Sequence, residues 1–543
     1  MDVTRIPVLI VGAGVGGLAT SALLAKRGVR SLLVDRRREV FIYPKARNIS
    51  FRTSEILRRL GVGDAVHNVA ERPSAVVVKT TLNSAAEEPA TGMNALVSKL
   101  VSELDGLSPE PAVQYCPQSR SEPILLAEAR RHGSQVRYGT ELSSFEQDEN
   151  GVTAVLRDRD LGNSETVRAD YLVAADGVHS PVREALGIST SGSGLWPLYS
   201  ILVYFRAPWR KFVPHLGDED VVHVKNADAD GLFISAEGDL GVFATTYFPR
   251  RGETAEQFTP ERCRELILKA VGEQVAVDII DVMRWQPSEQ VADQFQCGRV
   301  FLVGDSAHTM PPFRAGGANV AIQSADNLAW KLAAVQDGSA EPALLTTYHA
   351  ERHPIGRFSA RQSCTGPQLE VLRFEDDSLT LPVEEEAPLF AVAIGYQYRS
   401  AAVVNGDAAA ADPDAVSLVE DLRGQPGTRV PHAWVCRAAQ RISTLDLAGP
   451  GFTLFTGSSG APWINAAATV SAALGVRIHV HAIGADTEIR DVDGRWAELT
   501  QLSPDAALLV RPDDFIAWRA SALPRSPEDD LSRVLSQILG RVP

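Results

Sequence analysis

The chain runs to 543 residues, 45% hydrophobic and 22% charged, with a formal net charge of -15. That length exceeds what one hydrophobic core serves and predicts two or three domains, and the composition is that of a folded chain rather than a disordered one. The acidic balance argues against a nucleic-acid partner, yet leaves room for a small anionic ligand at a locally basic site.

The five cysteines, Cys116, Cys263, Cys297, Cys364 and Cys436, are scattered and form no CxxC pair. Neither a metal site nor a disulfide framework is expected; buried free thiols in a reducing cytoplasm are. Ile6 to Leu24 is apolar enough to resemble a signal peptide, but Gly12, Gly14, Gly16 and Gly17 interrupt it and no small-residue cleavage site stands out. It reads as a core strand and helix. No other stretch approaches the roughly 20 apolar residues that span a membrane.

In chain order, Pro7 to Val11 is a β-prone run, Gly12-Ala-Gly-Val-Gly-Gly17 a glycine loop, and Leu18 to Lys26 a helix closed by Gly28. Ser31 to Val34 is a second strand ending in Asp35. This is the order of a Rossmann unit. Gly12 permits the tight turn, Gly14 lets a pyrophosphate approach the backbone, and Gly17 lets the helix pack on the strand. The helix N-terminus offers free N–H groups to phosphate, and Asp35 can accept hydrogen bonds from a ribose diol. This unit alone does not separate FAD from NAD.

Three further stretches do: PKARNISFRTSEILRRLG (Pro44 to Gly61), ADYLVAADGVHSPVRE (Ala169 to Glu184) with Asp176-Gly177, and GRVFLVGDSAHTMPPFRAGGANVAIQSADNLAWKLA (Gly298 to Ala333) with Gly304-Asp305. With the glycine loop they resemble the flavoprotein aromatic hydroxylases, the para-hydroxybenzoate and phenol or polyketide hydroxylase class, over roughly the whole chain. The resemblance implies that Asp305 binds the flavin ribityl chain. Pro311 to Asn319, with Pro312, Gly316, Gly317, Ala318 and Asn319, would lie beside the isoalloxazine. Ala321 to Leu332 is expected to be a helix whose N-terminal amides face the ring. Asp176 and Gly177 would serve both FAD and the reduced pyridine nucleotide, though a tight turn alone also asks for glycine there. Gln118, in CPQSRSEPILLAEA, matches a glutamine that contacts the ribityl or phosphate. Arg183 either pairs with Asp176 or stays solvated.

The chain departs from its relatives at two places. Lys45 stands where many have arginine, keeping the charge but losing the planar fork. Arg47 follows, near the flavin or the substrate in relatives. Ala315 replaces a usual glycine, and the bulky Phe313 and Arg314 beside it are candidate pocket walls. No catalytic acid or base is assigned; Arg47, Phe313, Arg314 and Tyr247 are the residues expected near flavin and substrate.

From Gly187 to Glu289 the pattern turns to strands at Ser200–Phe205, Val221–Val224, Gly231–Ser235 and Gly241–Phe248, with an amphipathic helix at Thr259–Val271. Relatives cover their active site with such a sheet. Wall candidates are Trp196, Tyr204, Phe233, Phe243, Tyr247 and Trp285, though core is the plainer reading of each. Residues 73–106 either join this domain or form an exposed loop. The expected architecture is α/β: a discontinuous Rossmann-type FAD-binding domain (1–186 and 290–375), an inserted sheet-plus-helix substrate domain (187–289), a linker region (376–424), and a C-terminal domain (425–543). In that last part RPDDFIAWR (Arg511 to Arg519) reads as a hairpin, and DLAGPGFTLF and LLVRPDDFIAWR resemble the thioredoxin-like domain of the larger aromatic hydroxylases, without a CxxC for disulfide exchange.

The implied activity is an FAD-dependent monooxygenase that consumes NADPH or NADH and O2. It would hydroxylate an aromatic or polyketide-like molecule through a flavin C4a-hydroperoxide, in secondary metabolism, as a monomer or homo-oligomer. Baeyer–Villiger oxidation or epoxidation on the same scaffold, and a flavin- or substrate-binding protein without turnover, are the alternatives. No Trp-x-Trp-x-Ile-Pro segment supports a halogenase.

Overall fold

The computed structural model describes residues 4–40, 48–72, 75–314, 316–365, 385–404 and 415–541. Its first sheet has five parallel strands, in the order Val300–Leu302, Ser164–Ala174, Thr4–Val11, Ser31–Asp35, Gln135–Tyr138. An antiparallel lobe, Thr140–Asp148 and Gly151–Asp158, extends from the Ser164–Ala174 strand. Val8, Leu9, Ile10, Leu33, Leu172, Val173 and Phe301 are fully enclosed. Burial on both faces is why these strands read as continuous apolar runs rather than alternating ones. Helix Val15–Lys26 packs here against helix Gly316–Gln336. The second helix thus begins at the glycine pair, five residues before the expected start at Ala321, because small residues can open a helix without crowding what lies before it.

The second sheet runs Asp278–Trp285, Tyr199–Arg206, Leu240–Tyr247, Asp230–Glu237, Val221–Lys225, Val76–Lys79, Glu88–Pro89. Val76–Lys79, from the stretch 73–106, pairs in parallel with Val221–Lys225. One face packs on helix Pro260–Val271, whose N-terminus is capped by the Thr259 hydroxyl. Ile201, Val203, Phe205, Val222, Val224, Phe233 and Phe243 fill that interface with Cys263, Ile267 and Ala270.

The third sheet has a thioredoxin-like core. Strand Phe452–Thr456 lies parallel to Ile478–Gly484 and antiparallel to Ala507–Val510, which pairs antiparallel with Ile516–Ala520. Helices Ala461–Leu474, Arg495–Thr500 and Pro527–Ile538 intervene or follow. The hairpin expected in RPDDFIAWR is formed, with Arg511 to Phe515 as its turn. Within the stretch read as a linker, residues 385–404 are packed: Ile394, Tyr396, Tyr398 and Val403 share a core cluster with Phe51 and Phe515. Among the described residues no helix is long and apolar enough to cross a membrane.

Candidate active site

Three motifs far apart in sequence meet at the same edge of the parallel sheet. The glycine loop follows Thr4–Val11, Asp176-Gly177 follows Ser164–Ala174, and Gly304-Asp305 follows Val300–Leu302, and these three strands are neighbours. Ligands bind beyond the carboxyl ends of such strands. The motifs are also stitched together: Ala175 N donates to Val11 O (2.7 Å) and Val303 N to Ala174 O (2.9 Å). Ser306 Oγ donates to Ala174 O at 2.6 Å. Arg183 takes neither expected role. Its guanidinium donates to the carbonyls of Ser306 (2.8 Å) and Val178 (2.9 Å), tying the second motif to the third.

The glycines divide their work. At Gly12, φ is +103° and a Cβ would stand 2.1 Å from Ala175 O. A Cβ on Gly17 would stand 1.9 Å from Gly12 O. Gly14 meets nothing within 4 Å. The first two are demanded by the fold, while the space at the third is the approach a pyrophosphate needs, at the start of helix Val15–Lys26. Asp35 is nearly buried and already engaged. It accepts from Ala13 N (2.6 Å), from Arg37 N (2.7 Å) and from the Arg37 guanidinium. Burial alone would raise this carboxyl, but the hydrogen bonds from Arg37 and Ala13 overcome it and hold it below the usual aspartate range.

A cavity opens beside the glycine loop, lined by Val15, Asn48, Ile49, Gln118, Ala318 and Asn319 among others. Gln118 lines it with its amide bonded to Glu122 (2.5 Å). Asn319 accepts from Ser50 N (3.0 Å) and donates to Asn48 O (3.1 Å), so it clamps strand Asn48–Ser50 to the start of helix Gly316–Gln336. Asn48 and Ile49 were not singled out from the sequence, although both lie in the quoted Pro44 to Gly61 stretch; the Asn319 clamp is what brings them here.

Asp176 caps the short helix Pro181–Ala185, accepting from Ser180 Oγ (2.6 Å) and Val182 N (3.0 Å). Burial raises its pKa above the usual aspartate value despite those bonds. Gly177 has φ +89° and open space around it. Asp305 is exposed at the strand end, in the turn Gly304–Ser306. Pro312 and Arg314 lie in the next turn, where buried Arg314 pairs with Glu386 and reaches Gln362. Lys45, Arg47 and Ala315 lie outside the described residues, as does the Phe313 side chain.

Strand alternation sorts the aromatic wall candidates. Phe233 and Phe243, with ring centroids 4.8 Å apart, belong to the helix-covered face. Tyr247 packs there too, partly buried and 5.8 Å from Phe258. Trp196 is buried, its indole N–H on Ser193 Oγ (3.0 Å). Tyr204 and Trp285 fall on the opposite face, in register with Val242 and Ser200. That face also carries Leu202, Leu232, Ala244 and Met283, all half-buried.

Fold and site together define a flavoprotein of the dinucleotide-binding class. An FAD-binding domain model matches residues 5–363, and an aromatic-ring hydroxylase C-terminal model matches residues 423–542. The chain is 39% identical over 565 residues to a tetracenomycin A2 monooxygenase-dioxygenase of Streptomyces glaucescens, covering 100% of this chain and 98% of that protein. It is 35% identical over 573 residues to an aklavinone 12-hydroxylase of Streptomyces purpurascens, covering all of both. The solved structure of an aklavinone-11 hydroxylase with FAD and aklavinone superposes at a TM-score of 0.86, with 33% identity and full coverage of both chains. The chain therefore belongs to the FAD-dependent aromatic-ring hydroxylases and is a flavin-dependent monooxygenase.

Proposed function

We propose that this enzyme hydroxylates an aromatic, polyketide-like phenol in the cytoplasm, consuming one NAD(P)H and one O2 and releasing water. The observation that carries the reading is the meeting of three strand-end motifs at one sheet edge, beside a cavity, with a half-open apolar wall in the neighbouring domain. A flavin held at this edge would supply the redox chemistry of hydride acceptance and oxygen transfer. The chain does the rest. Gly14 and the N-terminus of helix Val15–Lys26 hold the pyrophosphate, and Asp35 the ribose. Gln118 and Asp305 hold the ribityl chain. Pro312 and the helix start at Gly316, Gly317, Ala318 and Asn319 would border the ring, and the helix N-terminus would offer it a partial positive charge. Asp176 and Gly177 border the path of the pyridine nucleotide. Lys45 and Arg47 are assigned to the flavin and substrate edge. The sheet excludes water while oxygen transfer proceeds.

The test is an absorbance spectrum of the purified holoenzyme, taken before and after anaerobic NADPH and again after air, with a panel of polycyclic phenols. Flavin bands that bleach, return and leave a hydroxylated product are expected. A protein that cannot be reconstituted with FAD, or one that oxidises NADPH and yields no hydroxylated product with any phenol, overturns the reading.

A further inference from the structure

The open face of the second sheet is built in rows. Strand register puts His223, Leu232, Ala244, Leu202 and Met283 side by side across five strands. At roughly 4.8 Å per strand the row is about 19 Å long. Small Ala244 stands at its middle, and His223 is the only polar side chain among these five. Val222 and Val224, to either side of His223, lie in the helix-covered core, which fixes the histidine on the open face. The adjoining rows carry Lys225 opposite Asp230, and Thr246 opposite Ser200, which in turn faces Trp285. His223 Nε2 lies 2.9 Å from Asp230 Oδ1, and the two side chains are only 15% and 16% exposed. Asp230 is held in place in turn, its carbonyl accepting from Thr245 Oγ1 at 2.8 Å.

This wall is continuous with the cofactor edge at both ends. Strand Asp278–Trp285 leads into Ser288–Ala292, which pairs with His308–Thr309 just beyond Asp305. At the other end, Asp218, shortly before Val221–Lys225, faces Arg120 on the helix that begins at Gln118.

We propose that His223, oriented by Asp230, is the substrate-recognition residue of this wall and accepts a hydrogen bond from a phenolic hydroxyl of a planar polycyclic substrate. The proposal rests on the hydroxylase reading above and names the substrate feature it selects. A carboxylate on Nε2 fixes the tautomer with the proton on that nitrogen, which makes Nδ1 an acceptor. An acceptor among apolar neighbours, with Leu232 on one side of His223 and Val78 on the other, recognises a flat molecule that is greasy along its length and carries a hydroxyl. That hydrogen bond also draws the phenolic proton outward and leaves the ring richer in electrons for the oxygen transfer.

The test is equilibrium binding to the FAD-loaded enzyme without NADPH, followed by perturbation of the flavin spectrum. The probes are 2-hydroxyanthraquinone and its methyl ether, 2-methoxyanthraquinone, which cannot donate. Wild type is expected to prefer the phenol by about tenfold, the worth of one buried hydrogen bond. In His223→Phe the preference falls below about twofold. His223→Lys separates recognition from structure, because its ammonium keeps a donor for Asp230 and has no acceptor to offer a phenol. It is expected to keep its flavin spectrum and lose the preference. An unchanged preference in His223→Lys, or a wild type that binds neither probe or both equally, overturns the proposal. If wild-type turnover still yields a hydroxylated product in that event, the failure belongs to this site and not to the hydroxylase reading.

Discussion

At the residue scale, the glycine loop separates what the fold needs from what the ligand needs. Gly14→Ala places a methyl group in open space, so the apoprotein is expected to melt near the wild-type temperature while FAD affinity falls by about tenfold, near 1.4 kcal/mol. Gly17→Ala drives a Cβ into the Gly12 carbonyl and is expected to lower the melting temperature itself. Thermal melts of apoprotein beside FAD titrations distinguish the two outcomes. His308, three residues past Asp305, gives a pH dependence. It is fully enclosed, its ring near Phe295, and burial first, then the Arg352 charge, pushes its pKa down from 6.5 to about 3. Below pH 6.5 the unfolded chain takes a proton that the folded one refuses. Stability is therefore complete above that pH and declines as pH falls toward 3. His308→Phe removes this cost, and urea melts at pH 7 and pH 5 should show a smaller acid loss than in wild type.

At the element scale, the hairpin turn Arg511 to Phe515 is driven into the FAD-binding domain. Arg511 makes a two-pronged pair with Glu351 (2.5 and 2.9 Å) and also holds Asp513 (2.6 Å). Lys331 Nζ adds a contact to Glu351 at 2.8 Å. Arg52 bridges Glu55 (2.8 Å) and Asp514 (2.9 Å), and Arg59 joins Asp514 to Asp326. Burial alone would raise the Glu351 carboxyl; Arg511 and Lys331 outweigh it and hold it well below the usual glutamate range. Glu351→Gln leaves buried Lys331 without a carboxylate and Arg511 with Asp513 alone, and is expected to cost about 3–5 kcal/mol at neutral pH. A carboxyl held low contributes above its unfolded pKa and loses that contribution as pH falls, so the gap between variant and wild type should narrow in acid. Denaturant melts at pH 7 and pH 4 check both statements. Nothing in the sequence marked this network. Arg-Pro-Asp-Asp-Phe reads as part of a hairpin, and only a partner 160 positions away makes it a buried clamp. The strand ends that carry the glycine loop, Asp176-Gly177 and Gly304-Asp305 are legible because their structure is local: an apolar strand and a tight turn follow one another along the chain. The open wall is not, since Ile201 to Phe205 is apolar on both faces and alternation alone does not say which face the helix covers.

For the whole molecule, the C-terminal domain is a structural partner of the flavin domain. Its core is shared: Trp330 and Leu344 cluster with Phe452, Trp463 and Trp518, and the Trp330 and Phe452 rings meet edge-on at 6.2 Å. The charged clamp lies alongside, with Arg511 over the Trp330 ring at 5.3 Å. Trp330 and Lys331 belong to helix Gly316–Gln336, whose other end borders the cavity beside the glycine loop through Ala318 and Asn319. One helix thus runs from that cavity to the thioredoxin-like domain. Ending the chain at residue 422 would expose the tryptophan cluster and leave Glu351 and Lys331 without Arg511. Loss of shared apolar surface and loss of a buried ion pair act together, each a recognised route to large destabilisation. The truncated chain is expected to aggregate or to fail to retain FAD. A milder variant, Trp518→Ala, should leave the flavin motifs untouched and still lower the temperature at which flavin fluorescence is released, in parallel with global unfolding. Release of FAD at the wild-type temperature in Trp518→Ala, with only the C-terminal domain melting early, would show the two domains to be energetically separate and would remove the helix as their link.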